Sequence, residues 1–211
     1  FDQVGTGTLT QAAEGKTYTL TGAVSDQLLV RLLEPVDTAY YPQFQVYRPD
    51  GTLLCSGANN PLAEALCAPN ADGTYTLIVQ DYYGASGGTY RLYTQRTNNP
   101  VNATPINFGD TLSGTIGVNP QVRAYTFSAA AGDRVLIDVY DTSGTAFYPE
   151  VTVYGPTGAQ VCNFIGSTTV VEGLCLLAAN GTHTLVVGDY YGITSGVYSL
   201  FLQRTNNPSG A

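Results

Sequence analysis

One stretch of this chain occurs twice, at an offset of 108 residues, and that repetition limits the fold more than any other feature. Residues 81–100 return as residues 189–208, and 13 of the 20 positions are identical. At the same offset, or one residue less, Phe1 aligns with Phe108, and most of the remaining chain aligns as well. Repetition on this scale indicates one structural unit written twice, so a single fold has to suit both halves.

The two copies are separated by a polar stretch with two prolines, Thr-Asn-Asn-Pro-Val-Asn-Ala-Thr-Pro at 97–105. Proline favours an extended and rather stiff connection. We therefore predict a first module at 1–97, a linker at 98–107 and a second module at 108–211. Residues 205–208, near the end of the second module, repeat the Thr-Asn-Asn-Pro sequence of residues 97–100. The chain starts with Phe rather than Met, which we take to indicate a processed form or an excised fragment.

Short segments in which apolar and polar residues alternate dominate both copies. Residues 74–79 and 89–93 are examples: both are rich in β-branched and aromatic residues, and Gly, Pro, Asn or Asp lie at their ends. This pattern is typical of strands. The best helix candidate, 61–67, is too short to be convincing. We predict an all-β chain of two tandem antiparallel β-sandwich domains, with about eight strands in each.

Four cysteines form two matched pairs, Cys55 with Cys67 and Cys162 with Cys175. Their equivalent places predict one disulfide bond in each module, and with it an oxidising, extracytoplasmic location. Each bond would close a loop of about a dozen residues, which is worth about 3 kcal/mol in the chain-entropy model. The alternatives are buried free thiols and a zinc site, although neither a Cys-x-x-Cys motif nor paired histidines accompany the cysteines.

The charge and hydropathy of the chain exclude several classes of partner. The formal net charge is −8, and no basic patch is present to neutralise phosphates, so we expect neither nucleic acid nor an anionic membrane surface as a partner. No apolar run approaches the ~20 residues of a membrane-spanning helix, so membrane insertion is not expected either.

Residues that could carry catalysis are scarce. The single histidine, His183, aligns with Tyr75, and we expect it to be a surface residue of a strand. A nucleophile needs a base within reach, and no known hydrolase or metalloprotease motif occurs. The sequence therefore predicts no enzyme and no cofactor.

Two acidic positions recur in both copies, Asp26 with Asp133 and Asp81 with Asp189. They lie beside Gly, Ser or Tyr, and we predict turn-forming carboxylates that bind nearby backbone N–H groups. Calcium ligation by Asp81 and Asp189 is the alternative, but one carboxylate per loop is too few for tight binding, so we predict no metal site.

The chain has 16 tyrosines and no tryptophan. Several tyrosines lie in adjacent aromatic pairs, and we expect one member of each pair to pack inward and the other to face solvent. Either these rings cap the ends of the sandwiches, or they form a contact surface, because tyrosine offers a large amphipathic area at low entropic cost. We assign a binding or assembly surface to Tyr40, Tyr41, Tyr82, Tyr83, Tyr148, Tyr190 and Tyr191.

Two N-glycosylation sequons are present, at Asn102 in the linker and at Asn180 in the second module. Asn102 is the better candidate, because a linker is exposed.

The segment 108–135, with its Phe-Gly-Asp start and Ala-Gly-Asp loop, and the Tyr-x-Pro-x-Gly turns at 47–51 and 154–158 resemble bacterial pre-peptidase C-terminal domains. The resemblance implies a jelly-roll-like β-sandwich in a secreted protein, non-catalytic, and associated with binding of substrate, collagen or carbohydrate, or with secretion. Related collagen-binding domains hold calcium through an acidic linker; residues 98–107 contain no Asp or Glu, so that site is not expected here.

Two functional hypotheses follow. In the first, the chain is an extracellular or cell-surface structural protein that self-associates head to tail into a fibre, sheath or adhesin stalk, with residues 205–211 docking near Phe1 of the next copy. In the second, it is an accessory module of a secreted hydrolase that binds a polysaccharide or a protein.

Overall fold

The computed structural model describes residues 1–36, 39–144, 147–166 and 169–208. The chain divides into two compact units, Phe1–Arg96 and Thr97–Ala211, so the residues of the predicted linker belong to the second unit. Strands and turns account for the regular structure of both units, and no helix occurs in the described ranges. The all-β prediction is confirmed.

The described residues of the first unit form eight strands, and each coincides with a segment of alternating or β-branched sequence. They are β1 (Val4–Leu9), β2 (Gly15–Gly22), β3 (Leu28–Leu33), β4 (Pro42–Tyr47), β5 (Leu53–Ala58), β6 (Leu62–Cys67), β7 (Gly73–Asp81) and β8 (Gly88–Arg96).

Nine strands occur in the part of the second unit that the structure describes, and all but the first have a counterpart in the first unit. They are β9 (Thr104–Pro105), β10 (Thr111–Ile116), β11 (Arg123–Ala129), β12 (Arg134–Asp141), β13 (Pro149–Tyr154), β14 (Gln160–Ile165), β15 (Val170–Leu176), β16 (Gly181–Asp189) and β17 (Gly196–Arg204).

The strand order is the same in both units. The first unit pairs a β1-β8-β3-β6 sheet with a β2-β7-β4-β5 sheet, and the second pairs β10-β17-β12-β15 with β14-β13-β16-β11-β9. Among the described residues, successive strands lie in different sheets, as in a jelly roll, except for the hairpins β4-β5 and β13-β14, which each stay within one sheet. Every pairing except that of β9 is antiparallel. The prediction of two antiparallel, jelly-roll-like sandwiches is confirmed.

The offset between equivalent residues of the two copies is 107 at Cys55 and Cys162 but 108 at Cys67 and Cys175. This change has a local cause. The connection between β5 and β6 spans three residues, 59–61, whereas that between β14 and β15 spans four, 166–169. One extra residue in a loop shifts the numbering without disturbing the ladder. Thr19 pairs with Thr76 in the first unit, and their counterparts Thr126 and Thr184 pair in the second.

Each unit has its own apolar core between its two sheets. Tyrosine hydroxyls of each core bind one another: the oxygens of partly buried Tyr18 and of Tyr90 lie 2.6 Å apart, and those of Tyr125 and Tyr198 lie 2.9 Å apart. Burial raises the pKa of Tyr90 and Tyr198 well above that of a free phenol, so both stay neutral at any ordinary pH. A buried hydroxyl pair satisfies polar groups that would otherwise weaken the core.

Both predicted disulfides are present, and they occupy the same place in each fold. Cys55 on β5 bonds to Cys67 on β6, with Cα atoms 5.7 Å apart, and Cys162 on β14 bonds to Cys175 on β15, with Cα atoms 6.0 Å apart. Since β5 and β6 belong to different sheets, as do β14 and β15, each bond ties the two sheets of a sandwich together at one edge.

The described residues contain no helix long and apolar enough to cross a membrane.

Candidate binding surface

A buried aspartate organises the loop that carries the tyrosines in the first unit. Asp81 ends β7 and is 5% exposed. One of its carboxylate oxygens accepts the Tyr41 N–H at 2.8 Å, and the other accepts the N–H groups of Ala85 at 2.8 Å and Ser86 at 3.1 Å. The side chain thereby joins the segment before β4 to the loop after β7, which brings Tyr41 next to Tyr82.

The second unit repeats this arrangement with different neighbours. Asp189 ends β16 and accepts N–H groups from Tyr148 at 3.0 Å, Ile193 at 2.9 Å and Thr194 at 3.1 Å. The prediction that the recurring aspartates bind nearby backbone N–H groups is thus confirmed at both positions. Asp26 and Asp133 do the same in their own loops, with the N–H groups of Ala23 and Ala130.

A glycine with positive φ closes each loop. Gly84 has φ 65° and Gly192 has φ 68°, a left-handed conformation that side chains with a Cβ rarely adopt. The N–H of each glycine donates to the carbonyl of the aspartate three residues earlier, at 3.1 and 3.0 Å. A tight turn of this kind leaves the two tyrosines between aspartate and glycine on the outside.

Three tyrosine rings of the first unit meet on the surface, and we call Tyr41, Tyr82 and Tyr83 the first tyrosine cluster. The ring centroids of Tyr41 lie 5.6 Å from Tyr82 and 5.5 Å from Tyr83, and those of Tyr82 and Tyr83 lie 5.0 Å apart. Tyr82 is 52% exposed and Tyr83 is 71% exposed. Edge-to-face contacts hold the rings in place while much of their area still faces solvent.

The second tyrosine cluster is formed by the counterparts Tyr148, Tyr190 and Tyr191. The centroid of Tyr191 lies 5.4 Å from Tyr148 and 4.9 Å from Tyr190. Tyr190 and Tyr191 are 41% and 45% exposed. Each unit therefore presents one preformed aromatic patch, built on the same aspartate and the same glycine.

Two expectations about these tyrosines were wrong. Tyr40, which we assigned to the contact surface, is fully buried in the core of the first unit, as is its counterpart Phe147 in the second. In the pair Tyr82 and Tyr83, by contrast, both rings are exposed instead of one. The inward and outward alternation of a strand does not hold in a turn, and Tyr82 and Tyr83 lie in a turn.

The geometry at Asp81 and Asp189 does not suit a cation. Their carboxylate oxygens already accept backbone N–H groups, whose positive ends would face the ion. Among the described residues, no group of three or more His, Cys, Asp or Glu side chains is placed to hold a metal ion.

The histidine is not a surface residue, contrary to our expectation. His183 is fully buried and stacks on Phe127, with ring centroids 5.5 Å apart and Nδ1 3.1 Å from the Gly181 carbonyl oxygen. Burial lowers its pKa, because desolvation disfavours the imidazolium more than Gly181 and Asp133 favour it. A neutral histidine buried against a phenylalanine has no access to a substrate, so it does not act as a base.

Both sequons lie on exposed backbone. Asn102 is exposed and has φ 57°, and Asn180 is exposed, with its side-chain oxygen accepting the Ala131 N–H at 2.9 Å. The Asn180 Nδ2 atom, which would carry a glycan, takes no part in that bond. Glycosylation at both positions remains a prediction.

Grooves beside β9 in the second unit are lined by backbone and small side chains. One, of about 430 Å³, lies between Pro105, Phe108 and Thr182, and another, of about 340 Å³, lies between Leu112, Arg123 and Tyr125. Neither groove brings together an acid, a base and a nucleophile. They do not support catalysis.

Sequence reasoning missed the role of one repeated arginine. The Arg96 guanidinium lies 4.5 Å above the Phe1 ring and 3.2 Å from an Asp26 carboxylate oxygen. Arg204 does the same with Phe108, at 5.2 Å, and with Asp133, at 3.5 Å. The presence of this arginine at the same place in both copies was the sequence signal that could have revealed its role. The arginine side chain links the first residue of each repeat, Phe1 or Phe108, to the loop before β3 or β12.

Comparison with known proteins gives distant structural neighbours only. No family model and no curated protein matches the chain. The pre-peptidase C-terminal domain of a collagenase from Bacillus anthracis is 20% identical, with a TM-score of 0.42, over 50% of this chain and 99% of that one. PliG, a periplasmic inhibitor of g-type lysozyme from Aeromonas hydrophila, is 16% identical, with a TM-score of 0.39, over 49% of this chain and 96% of that one. The CUB1-EGF-CUB2 segment of human MASP-1/3 is 11% identical, with a TM-score of 0.25, over 93% of this chain and 99% of that one.

Proposed function

We propose that this chain is a non-catalytic extracellular structural protein whose jelly-roll modules assemble end to end into a fibre, sheath or adhesin stalk. The observation that carries the proposal is the repeated Thr-Asn-Asn-Pro sequence at 97–100 and 205–208, because its two copies have different environments. The two disulfides support an oxidising location outside the cytoplasm, at the cell surface or beyond it.

The first copy of this sequence is docked on a module. Thr97 is fully buried in the second unit, and its hydroxyl donates to the Gly158 carbonyl oxygen at 2.8 Å, in the turn between β13 and β14. Residues 98–100 line a groove on the same unit that also contains Thr184, which is 2% exposed. A linker segment therefore packs on the module that follows it in sequence.

The second copy lies on the surface of its own unit, where the Thr205 N–H and hydroxyl donate to the Arg134 carbonyl oxygen at 2.8 and 3.2 Å. Thr205 is exposed, whereas its counterpart Thr97 is buried. On the first unit, Thr76 is only half-buried at the place that Thr184 occupies in the second, and Gly51 is the counterpart of Gly158. We infer that residues 205–208 of one copy dock on the first unit of the next, near Phe1, with the Thr205 hydroxyl exchanging the Arg134 carbonyl oxygen for that of Gly51. Contacts of this kind do not close on themselves and generate filaments.

Removal of residues 205–211 tests the proposal. The native chain is expected to scatter light as an assembly and to form fibres in negative-stain images, and the truncated chain is expected to remain monomeric. Thr205→Val should weaken assembly, because it removes the hydroxyl but keeps the shape, while Thr205→Ser serves as the matched control and should assemble normally. Fibres of normal length and number from the truncated chain would refute the proposal.

A second candidate function is favoured by the two tyrosine clusters. Exposed, preformed aromatic patches suit a polysaccharide or protein ligand, so the chain would act as an accessory module of a secreted hydrolase. In that case the native chain is a two-lobed monomer that sediments with an insoluble polysaccharide or with collagen. The double variant Tyr83→Ser and Tyr191→Ser should then lose this binding without loss of stability.

A further inference from the structure

The tyrosines of this chain fall into a buried and an exposed group, and all 16 lie within the described residues. The exposed side chains are Tyr82, Tyr83, Tyr140, Tyr190 and Tyr191. All of these except Tyr140 belong to the two tyrosine clusters, whereas Tyr140, on β12, makes no aromatic ring contact within the described part of the chain. An oxidant in solution therefore reaches the clusters and Tyr140 before the other tyrosines.

Each cluster brings together two rings from segments that are far apart in sequence. Tyr41 precedes β4 and Tyr83 follows β7, and their ring centroids lie 5.5 Å apart. The equivalent rings, those of Tyr148 and Tyr191, lie 5.4 Å apart in the second unit. In both units a buried aspartate accepts the backbone N–H of the first tyrosine of the pair, at 2.8 and 3.0 Å, so the two segments are held side by side.

The tyrosine pairs of the cores differ from these surface pairs, because they meet through their oxygens. Tyr90 is 1% exposed and Tyr198 is fully buried, and the hydroxyl of each lies within hydrogen-bond distance of a second tyrosine hydroxyl. Burial separates both phenols from an oxidant and from the water that would take up their protons. Chemistry that consumes phenols in solution is therefore confined to the surface pairs.

We propose that each tyrosine cluster is a site of oxidative cross-linking, at which a haem peroxidase with hydrogen peroxide joins Tyr41 to Tyr83 and Tyr148 to Tyr191 as dityrosine. This modification goes beyond the assembly and the ligand binding proposed above, since each bond lies within one unit and needs no second copy and no ligand. The two disulfides indicate a location without the glutathione pool of the cytoplasm, which would quench phenoxyl radicals.

The reaction balances with hydrogen peroxide as the terminal oxidant. Each phenol of a pair loses one electron and its hydroxyl proton and becomes a phenoxyl radical. The two radicals form a carbon–carbon bond between the ring carbons next to the C–O carbons. Each bonded carbon then releases its hydrogen as a proton and each oxygen takes up a proton, which restores both aromatic rings and both hydroxyls. For each bond the chain loses two electrons and two protons, and one hydrogen peroxide molecule takes them up to become two water molecules.

The geometry favours coupling within a pair over coupling between chains. Exposed side chains change rotamer within nanoseconds, so rings that already touch reach bonding geometry soon after both are oxidised. Partners held side by side also react far faster than partners that must meet by diffusion. The bond between positions 41 and 83 closes a loop of about 40 residues, and a cross-link that closes a long loop restricts the unfolded chain strongly. Oxidation therefore stabilises the unit that carries the bond.

Treatment of the dilute full-length chain with a haem peroxidase and hydrogen peroxide tests the proposal. The product should remain a monomer on denaturing gels, should be lighter by four hydrogen atoms, and should yield peptides that join Tyr41 to Tyr83 and Tyr148 to Tyr191. Dimerisation of N-acetyltyrosine in a parallel sample shows that the oxidant is active. The proposal is overturned if the chain then gains no internal bond, or if Tyr140 is cross-linked as often as the clusters.

The second tyrosine cluster supplies a matched pair of variants. Tyr191→Phe removes the phenol whose ring contacts Tyr148, and it should lower the yield of the bond in this unit at least tenfold. Tyr190→Phe is the control, because its ring contacts Tyr191 rather than Tyr148, and it should leave the yield unchanged. Equal yields from the two variants overturn the assigned pair. Peptide mapping of the unsubstituted chain gives a readout that does not depend on either variant folding.

Stability gives a second measurement. After oxidation, the urea midpoint of the second unit, followed by hydrogen exchange of β16 amides, should rise in the unsubstituted chain and in Tyr190→Phe, but not in Tyr191→Phe. An equal rise in Tyr191→Phe would overturn the proposal, because the bond to Tyr148 cannot form in that variant. None of these outcomes depends on fibres or on a bound ligand, so the cross-linking sites stand or fall separately from the proposed function.

Discussion

The two units share strand order, disulfide position and tyrosine clusters, but they differ in the charge at one cross-strand pair. In the first unit, Arg31 on β3 faces Glu64 on β6, and the Arg31 Nε atom lies 2.7 Å from a Glu64 carboxylate oxygen. In the second unit the corresponding residues, Asp138 and Glu172, also face each other, and both are acidic. Opposite charges at such positions stabilise a sheet, and like charges destabilise it.

A second difference lies in the core. Tyr75 in the first unit and His183 in the second are both fully buried at the same register position. The Tyr75 hydroxyl donates to the Ala71 carbonyl oxygen at 2.7 Å, whereas His183 carries an imidazole with a lowered pKa. One scaffold therefore tolerates a different charge pattern at one cross-strand pair and a different polar group in its core, as long as the parts that fix the loops are kept.

The largest effect on this comparison is expected from the disulfides. Replacing Cys55 and Cys67 with alanine should lower the free energy of unfolding of the first unit by about 3 kcal/mol. The sequence separations of 12 and 13 residues predict an equal loss in the second unit for Cys162 and Cys175. Native-state hydrogen exchange, measured separately on β7 and β16 amides, gives both values. Losses that differ by a factor of two would show that the bonds do not play equivalent roles.

The second-largest loss of stability is expected from replacing Asp81 or Asp189, the aspartates that organise the tyrosine clusters. Asp81→Ala leaves three N–H groups without their acceptor, and it should cost the first unit about 2 kcal/mol. Asp189→Ala should cost the second unit the same amount. Asp50→Ala, in an exposed turn, is the control and should change stability by about 0.5 kcal/mol or less. The expectation fails if either aspartate behaves like Asp50.

Acid should lower the stability of the second unit more than that of the first, because His183 belongs to the second unit. The unfolded histidine binds a proton below about pH 6.5, and the folded one resists it because its pKa is lowered. Stability from this residue is therefore fully present above that pH and is lost as the pH falls, by up to about 1.4 kcal/mol per pH unit, until the folded histidine titrates too. Hydrogen exchange of β16 between pH 7 and pH 5 measures the loss. His183→Tyr should abolish it and Tyr75→His should create it in β7, whereas unchanged pH dependence in both variants would contradict this account.

The smallest effect concerns the acidic pair. Asp138→Arg should stabilise the second unit by up to about 1 kcal/mol, because it recreates the opposite charges found between Arg31 and Glu64. Addition of salt should reduce the gain, since Glu172 is exposed. Asp138→Asn removes the repulsion without adding an attraction, so it should give a smaller gain. Destabilisation by both variants would mean that Asp138 has a role other than its charge.

Much of the fold could be predicted from the sequence because two independent copies agreed. The alternation of residues 74–79 is repeated at 182–187, and the two segments form β7 and β16, which occupy equivalent positions in their sheets. The cysteine pairs were predictable for the same reason. The two-residue strand β9 was not predictable, since Thr104 and Pro105 lie in a polar segment with no alternation, and only the edge of β11 gives them a partner.

The candidate site was predicted less well. The period of two along β16 places His183 on the same face as Leu185 and Val187, so its burial could have been predicted from the alternation itself. The exposure of both Tyr82 and Tyr83 could not, because it depends on a turn that Asp81 and Gly84 hold together. Contacts that join distant segments, such as that of Asp81 with Tyr41, leave no local signature in the sequence.

The position of the disulfides has a consequence for survival among proteases. Cys55 and Cys67 bracket the connection that crosses from one sheet to the other, and Cys162 and Cys175 bracket its counterpart. Hydrolysis of any peptide bond between the bracketing cysteines leaves the two pieces covalently joined. A cut at either connection is thus a nick that the domain outlives, and a chain exposed to secreted hydrolases would keep its length.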